Sequence, residues 1–279
     1  NVIYRPDLPS DAPEILFRTF LFRFFNRIST WEALISTLGP PTLGMFHFSQ
    51  AAQLLSKLFA KGHRIYSAAY IMPSTGVLGE SVKHRGHLKL LEIMTRPAST
   101  SRILDAPSLH ALYETLLSFP TLGPFLAFQL AIDLNYSGVI NRSEMDFVVA
   151  GPGARDGLKK CFDDFGDYEV ADVIRWVADR QELDPARLGL TFTNLYGRAL
   201  QLIDVQNLFC EISKYTRVAY PEILGISNRK RIKQTFRINS LPLRIFFPPK
   251  WGINECVPDV VKASSCTVLN SQTLDLFSA

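Results

Sequence analysis

Residues 119–157, FPTLGPFLAFQLAIDLNYSGVINRSEMDFVVAGPGARDG, constrain the fold of this chain most. A Pro/Gly turn precedes an apolar helix, carboxylates follow at Asp133, Glu144 and Asp146, and a second glycine turn, GPGA, opens another helix. Turn glycines ahead of helices leave backbone N–H groups pointing outward, the usual way a protein grips phosphate or another anion without spending side chains. Acidic residues beside such a grip point to chemistry on a phosphorylated substrate. Two helix starts in an ordinary helical protein give the same pattern.

The rest of the chain reads as helical. From residue 12 to 38 apolar positions recur at helical spacing, with Pro13 near the start and Gly39-Pro40-Pro41 at the end. Arg18, Arg23, Asn26 and Arg27 share this aromatic-rich segment. Further helices are expected over 49–61, 87–94, 108–118, 123–134, 154–162, 168–181 and 203–217. Between them, 66–86 reads as an ordered loop anchored by Tyr66 and Tyr70. Residues 241–279 turn proline-rich, then weakly charged, and are expected to pack as extended chain or to be partly mobile. One mainly α domain over 1–279 follows, divided into N-terminal helices (1–118), a hairpin, GPGA and basic part (119–240), and the tail.

Composition closes off several classes. A chain of 279 residues that is 47% hydrophobic can bury a full core. No apolar run approaches the roughly 18 to 20 residues of a membrane helix, and no secretory signal follows Asn1, so an intracellular site, nuclear or otherwise, is expected. Cys161, Cys210, Cys256 and Cys266 are far apart, without CxxC spacing or His neighbours, and predict no metal centre. The sequence contains no GxxxxGK[ST] phosphate loop, no GxSxG and no HExxH. The net charge of +4 is concentrated at 83–89 and 228–237. Arg229, Lys230, Arg231 and Lys233 are the candidates for DNA-backbone contacts, although solvated helix faces and import signals look alike.

Residues 119–127, FPTLGPFLA, resemble the hairpin of helix-hairpin-helix DNA glycosylases, which implies phosphate binding near Gly123 and a DNA-glycosylase-like fold. That resemblance puts a catalytic aspartate near Asp146, with Glu144 as rival, and Phe125 where some of those enzymes carry a lysine. Five separated blocks, FFNRISTWE, IYSAAYI, AFQLAIDLNYS, DFVVAGPGARDGLKKCF and DVQNLFCEISKY, are similar to the helical domain associated with 5-hydroxymethyldeoxyuridine DNA kinases. That domain is grouped with thymine pyrophosphorylases of thymine hypermodification. The resemblance implies a DNA-base-modifying enzyme acting on hydroxymethyluracil-derived bases, in which an amine displaces pyrophosphate. A monofunctional glycosylase and an inert DNA-binding module that recruits a modifying enzyme are the alternatives. DNA carrying the modified base is the expected partner, with a DNA-base kinase beside it.

Under that reading Asp146, Asp133 and Glu144 are the catalytic candidates, with Asp146 as general base or oxocarbenium stabiliser; as a helix N-cap it would be unremarkable. Asp133 lies in an apolar helix, where an unpaired carboxylate is costly, so it meets a partner or serves function. Arg18, Asn26, Arg27 and Gln129 are assigned to substrate or phosphate binding, as are Gly123, Gly151, Gly153 and Ala154 through backbone N–H groups. For the arginines, structural pairing with an acid is equally open, and for the glycines a tight turn. Tyr66, Tyr70 and Tyr136 could stack on a base, or sit in the core. No cofactor is evident; Mg2+ would accompany pyrophosphate.

Overall fold

The structure is a computed structural model that describes residues 2–232 and 245–258. Lys233, Cys266 and most of the expected tail lie outside them. Among the described residues eleven α-helices and no strand occur: α1 Ala12–Phe25, α2 Ile28–Leu38, α3 Phe48–Ala60, α4 Lys83–Met94, α5 Pro97–Leu104, α6 Leu109–Leu117, α7 Pro124–Asn135, α8 Pro152–Cys161, α9 Val170–Asp179, α10 Leu183–Arg187 and α11 Leu202–Ala219. The mainly α expectation is met.

Burial explains which helices are central. In α1 every residue from 15 to 21 is buried, and in α7 every residue from 127 to 132. A helix that is apolar all round belongs inside, whereas an amphipathic one covers the surface. Accordingly α1 packs against α2, α4, α5 and α7, and Phe17, Phe20, Phe24, Leu91, Met94, Phe128 and Leu130 share one core.

Expectations are corrected at four places; α4 begins at Lys83, inside the loop expected over 66–86, and α10 lies where no helix is expected. Residues 12–38 form two helices, because Asn26 adopts the left-handed conformation (φ 48°, ψ 41°) while its N–H still bonds Phe22 O. Asn is one of the few side chains that visits this region readily, so it ends α1 and turns the chain into α2. The stretch after Met94 carries an additional helix, α5, started by Pro97 at the first turn; its polar PASTS sequence has little apolar period.

The GPGA segment opens α8, as expected, and its glycines face protein. A Cβ on Gly151 would lie 2.5 Å from the Phe125 ring, one on Gly153 2.5 Å from Cys210 Sγ, and one on Gly157 2.0 Å from Phe209 O. Missing side chains thus let α8 lie directly on α11, the most extensive helix pair of the fold. Asp156 locks the same pair. It is 1% exposed and accepts from Ser213 Oγ (2.6 Å) and from Ser227 N and Oγ (both 2.8 Å), with Lys160 at 3.7 Å. Burial alone would raise its carboxyl, but these donors outweigh it and hold the group at about 2.

Candidate functional site

A cleft of about 1020 Å³ opens between α1, the first turns of α2 and the C-terminal end of α7. Thr19, Phe22, Arg23 and Asn26 come from one face of α1, which follows from their three- and four-residue spacing. Trp31 and Ile35 add an apolar wall from α2, and Asp133 and Tyr136 close the α7 side. Residues 2–7 and the side chains of Phe246 and Pro248 form the roof. Tyr4 ties the roof together, its hydroxyl donating to Tyr136 O and its ring meeting Phe246 edge-on at 5.9 Å.

The chemistry of the cleft is concentrated on Arg23. Its Nε lies 2.8 Å from Asp133 Oδ2, and its Nη2 donates to Gln129 Oε1 at 3.1 Å. The guanidinium lies 3.9 Å from the centre of the Tyr70 ring, which stacks at 6.0 Å on Phe125. Phe125 in turn occupies the space that a side chain at Gly151 would take. Tyr70 holds φ 51°, a left-handed conformation unusual for an aromatic residue. Such backbone costs about 1 to 3 kcal/mol, persists only where the surroundings over-determine it, and clusters at functional sites.

Asp133 keeps 20% of its side chain open to the cleft. Burial raises its carboxyl to about 6 against the opposing pull of Arg23. Its charged and titratable surroundings are Arg23 from α1, and Tyr70 and Tyr136, whose hydroxyls burial also pushes up. A raised carboxyl keeps a proton in the fold that the unfolded chain releases, so stability falls as pH climbs from about 4 through 6. Relative to Asp133→Asn, the wild type is expected to lose about 2 to 3 kcal/mol of unfolding free energy between pH 4 and 7. Denaturant titrations of both proteins at the two pH values measure this; a constant difference would refute the assignment.

The other sequence candidates are dispersed. Asp146 is exposed and caps no helix; its carbonyl, not its carboxylate, meets Arg175. Glu144 is buried and paired with Arg198 at 2.9 Å, and Arg198 also meets Asp204 at 3.1 Å and lies over the Trp251 ring at 3.8 Å. Burial raises Glu144 although Arg198 pulls it down. Arg18 is 0% exposed, with Glu14 at 3.7 Å and no hydrogen bond on any guanidinium nitrogen. Arg27 precedes α2 and donates to Ser29. Tyr66 stacks on Phe25 and bonds His87 Nδ1 at 2.7 Å, a core position.

Gly151 N–H is taken by Gln206 Oε1 at 3.0 Å and Ala154 is fully buried, so this turn serves packing. Gly123 differs: it precedes α7 without a side-chain cap, and a Cβ there would meet open space. Arg229, Lys230 and Arg231 are exposed. The residues that sequence reasoning missed are Arg23, Trp31 and the roof. No local spacing links Arg23 to Asp133; an arginine on an apolar helix face is the one available signal.

Among the described residues no group of His, Cys, Asp and Glu could hold a metal ion, and no helix is long and apolar enough to cross a membrane. Fold and cleft together define an all-α domain with an aromatic-walled cleft whose polar centre is a partly buried ion pair. The family described as "5-hmdU DNA kinase, helical domain" matches residues 1–225, and the chain belongs to it. A curated relative, the 5-hmdU DNA kinase of Bacillus phage SP10, is 24% identical over 227 residues. These cover 72% of this chain and 34% of that protein, so the chain spans about a third of its relative's length. No solved structure matches, and the glycosylase likeness gains no support from the comparisons. A relative from a bacteriophage also gives the nuclear expectation no support.

Proposed function

We propose that this chain is the base-handling domain of a DNA-modification system and takes a 5-substituted uracil of the hydroxymethyl class from DNA into the α1–α7 cleft. The observation that carries this is the Arg23–Asp133 pair at the centre of an aromatic-walled cleft, in a member of a family named for 5-hmdU DNA. Enzymes that act on a base must unstack it and seat it between apolar side chains with hydrogen-bonding groups at its edge. Phe22, Trp31 and Tyr136 supply the walls, and Asn26 and Asp133 the edge contacts. The cleft volume is at the top of the roughly 300–1,000 Å³ usual for small-molecule sites, enough for a whole nucleotide.

The sequence lacks a phosphate loop of the GxxxxGK[ST] type, so phosphoryl transfer falls to a kinase module outside these residues. The pyrophosphate-displacing version implied by resemblance asks for cations on the leaving group, with Asp133 taking the amine proton. Among the described residues that line the cleft only Arg5 and Arg23 are cationic, and both are already paired. The cleft is therefore better suited to holding a base than to displacing pyrophosphate from it.

The test is a titration against DNA duplexes and single strands that carry thymine, 5-hydroxymethyluracil or its phosphorylated forms, followed by mass analysis of the recovered bases. Selective binding supports the domain's role; base loss or pyrophosphate release would identify it as the glycosylase or the pyrophosphate-displacing enzyme. Equal binding of all bases would leave a non-selective DNA-binding module. Arg229, Lys230 and Arg231 are expected to contact backbone phosphates. Replacing all three by Gln should reduce the slope of log K against log salt by about 2 to 3. An unchanged slope would make them surface charge alone.

A further inference from the structure

The electrostatics of the cleft go further than its shape. Among the described residues five charged side chains line it: Arg5, Asp7, Arg23, Glu32 and Asp133. Arg5 donates to both carboxylate oxygens of Asp7, and Arg23 is paired with Asp133. Glu32 is exposed at the rim and has no cationic partner among the described residues. Among the described residues that line the cleft, one carboxylate is therefore unmatched and no cation is.

The described cations next to the lining are engaged elsewhere: Arg27, between Asn26 and Ile28, donates to Ser29 Oγ at 2.8 Å. Lys250 donates to Asn135 O and Ile140 O at the end of α7. Arg198 is held between Glu144 and Asp204, and Arg18 is wholly buried with Glu14. A phosphate monoester carries about −1.5 to −2 charge at neutral pH and needs cations or several N–H donors to replace its water. This cleft would instead set it against Glu32, and against an Arg23 already neutralised.

We infer that the Arg23–Asp133 pair is the specificity determinant of the cleft: with the guanidinium neutralised by Asp133, the cleft takes an uncharged 5-substituted pyrimidine and excludes the same base once phosphorylated. This rests on the base-handling reading above. It places the domain ahead of phosphoryl transfer, where it presents the hydroxymethyl base and lets go of the charged product. Asp133 is then a positioning and selecting group whose role shows in the ratio of two affinities.

The experiment measures binding of single-stranded oligonucleotides with one thymine, one 5-hydroxymethyluracil or one phosphorylated 5-hydroxymethyluracil, at pH 7.5. Wild-type protein is expected to prefer the hydroxymethyl base over the phosphorylated one by at least about tenfold, because a phosphate monoester set beside the neutralised pair gives up water that no free cation of the lining replaces. Asp133→Asn leaves Arg23 uncompensated and should abolish or reverse the preference. Glu32→Gln, a substitution at an exposed position that leaves the buried pair intact, should narrow the ratio about two- to threefold.

Tighter or equal wild-type binding of the phosphorylated base would overturn the selectivity while leaving base handling in place. So would a preference that survives both substitutions. Failure to distinguish either modified base from thymine would instead remove the base-handling reading itself.

Discussion

Gly157→Ala is expected to destabilise the protein by about 3 to 5 kcal/mol, despite replacing a helical glycine by the best helix former. In an exposed helix that exchange gains about 1 kcal/mol. Here the new Cβ would lie 2.0 Å from the carbonyl oxygen of Phe209, 2.8 Å from its carbon and 3.2 Å from its Cα. These are backbone atoms of α11, so no rotamer change relieves the overlap and the helices must separate by roughly 1 Å or more to reach ordinary van der Waals contact. The separation would also loosen the donors around Asp156, since Ser213 is on α11. At Gly153 the obstacle is Cys210 Sγ, the end of a side chain that can turn away, and Gly153→Ala should cost much less. Urea denaturation of the two variants provides the comparison. A Gly157→Ala midpoint at or above that of wild type would show that α8 and α11 are not in direct contact.

Arg23→Met should cost about 3 to 5 kcal/mol at neutral pH and remove base-selective binding. The substitution preserves most of the side-chain volume, so the loss is electrostatic in origin. Asp133 would remain in the cleft wall without its partner at 2.8 Å, Gln129 Oε1 would lose its donor, and Tyr70 would lose the guanidinium over its ring. Without Arg23 the Asp133 carboxyl has every reason to bind a proton, which should move its titration above about 6. Pairing Arg23→Met with Asp133→Leu removes both charges and should recover much of the lost stability, because the cost of one broken buried pair exceeds that of a missing pair. Chemical denaturation of the single and double variants measures the coupling. If the double variant is no more stable than the Arg23→Met protein, the pair contributes nothing of its own.

How much of this was legible in the sequence depends on the range of the interaction. Helix spans followed from local period and punctuation: the segment expected over 49–61 is Phe48–Ala60, and that over 123–134 is Pro124–Asn135. The break at Asn26 was not legible, because apolar period continues across it and only a backbone angle marks the turn. Asp133 could be singled out since a carboxylate in an apolar helix must be compensated somewhere. Its partner could not, because Arg23 lies in a distant helix and resembles its neighbours Arg18 and Arg27. The glycines of GPGARDG were visible as special, but two quite different demands, anion binding and close helix packing, call for the same residue. Only the atoms opposite each missing Cβ decide between them, and at Gly151, Gly153 and Gly157 those atoms belong to Phe125, Gln206, Cys210 and Phe209. Glu144 and Asp146 are neighbours in sequence, yet one is buried in a pair and the other is exposed.

The roof of the cleft divides it by ancestry. Residues 2–7 of the roof and the α1, α2 and α7 walls belong to the span that matches the family, whereas Phe246 and Pro248 come from beyond residue 225. A short irregular strip of chain accumulates substitutions more freely than a core helix, because few packed atoms depend on it. A lineage could therefore retune how large a base substituent its cleft admits by drift in that strip alone, while the ion pair beneath is inherited unchanged.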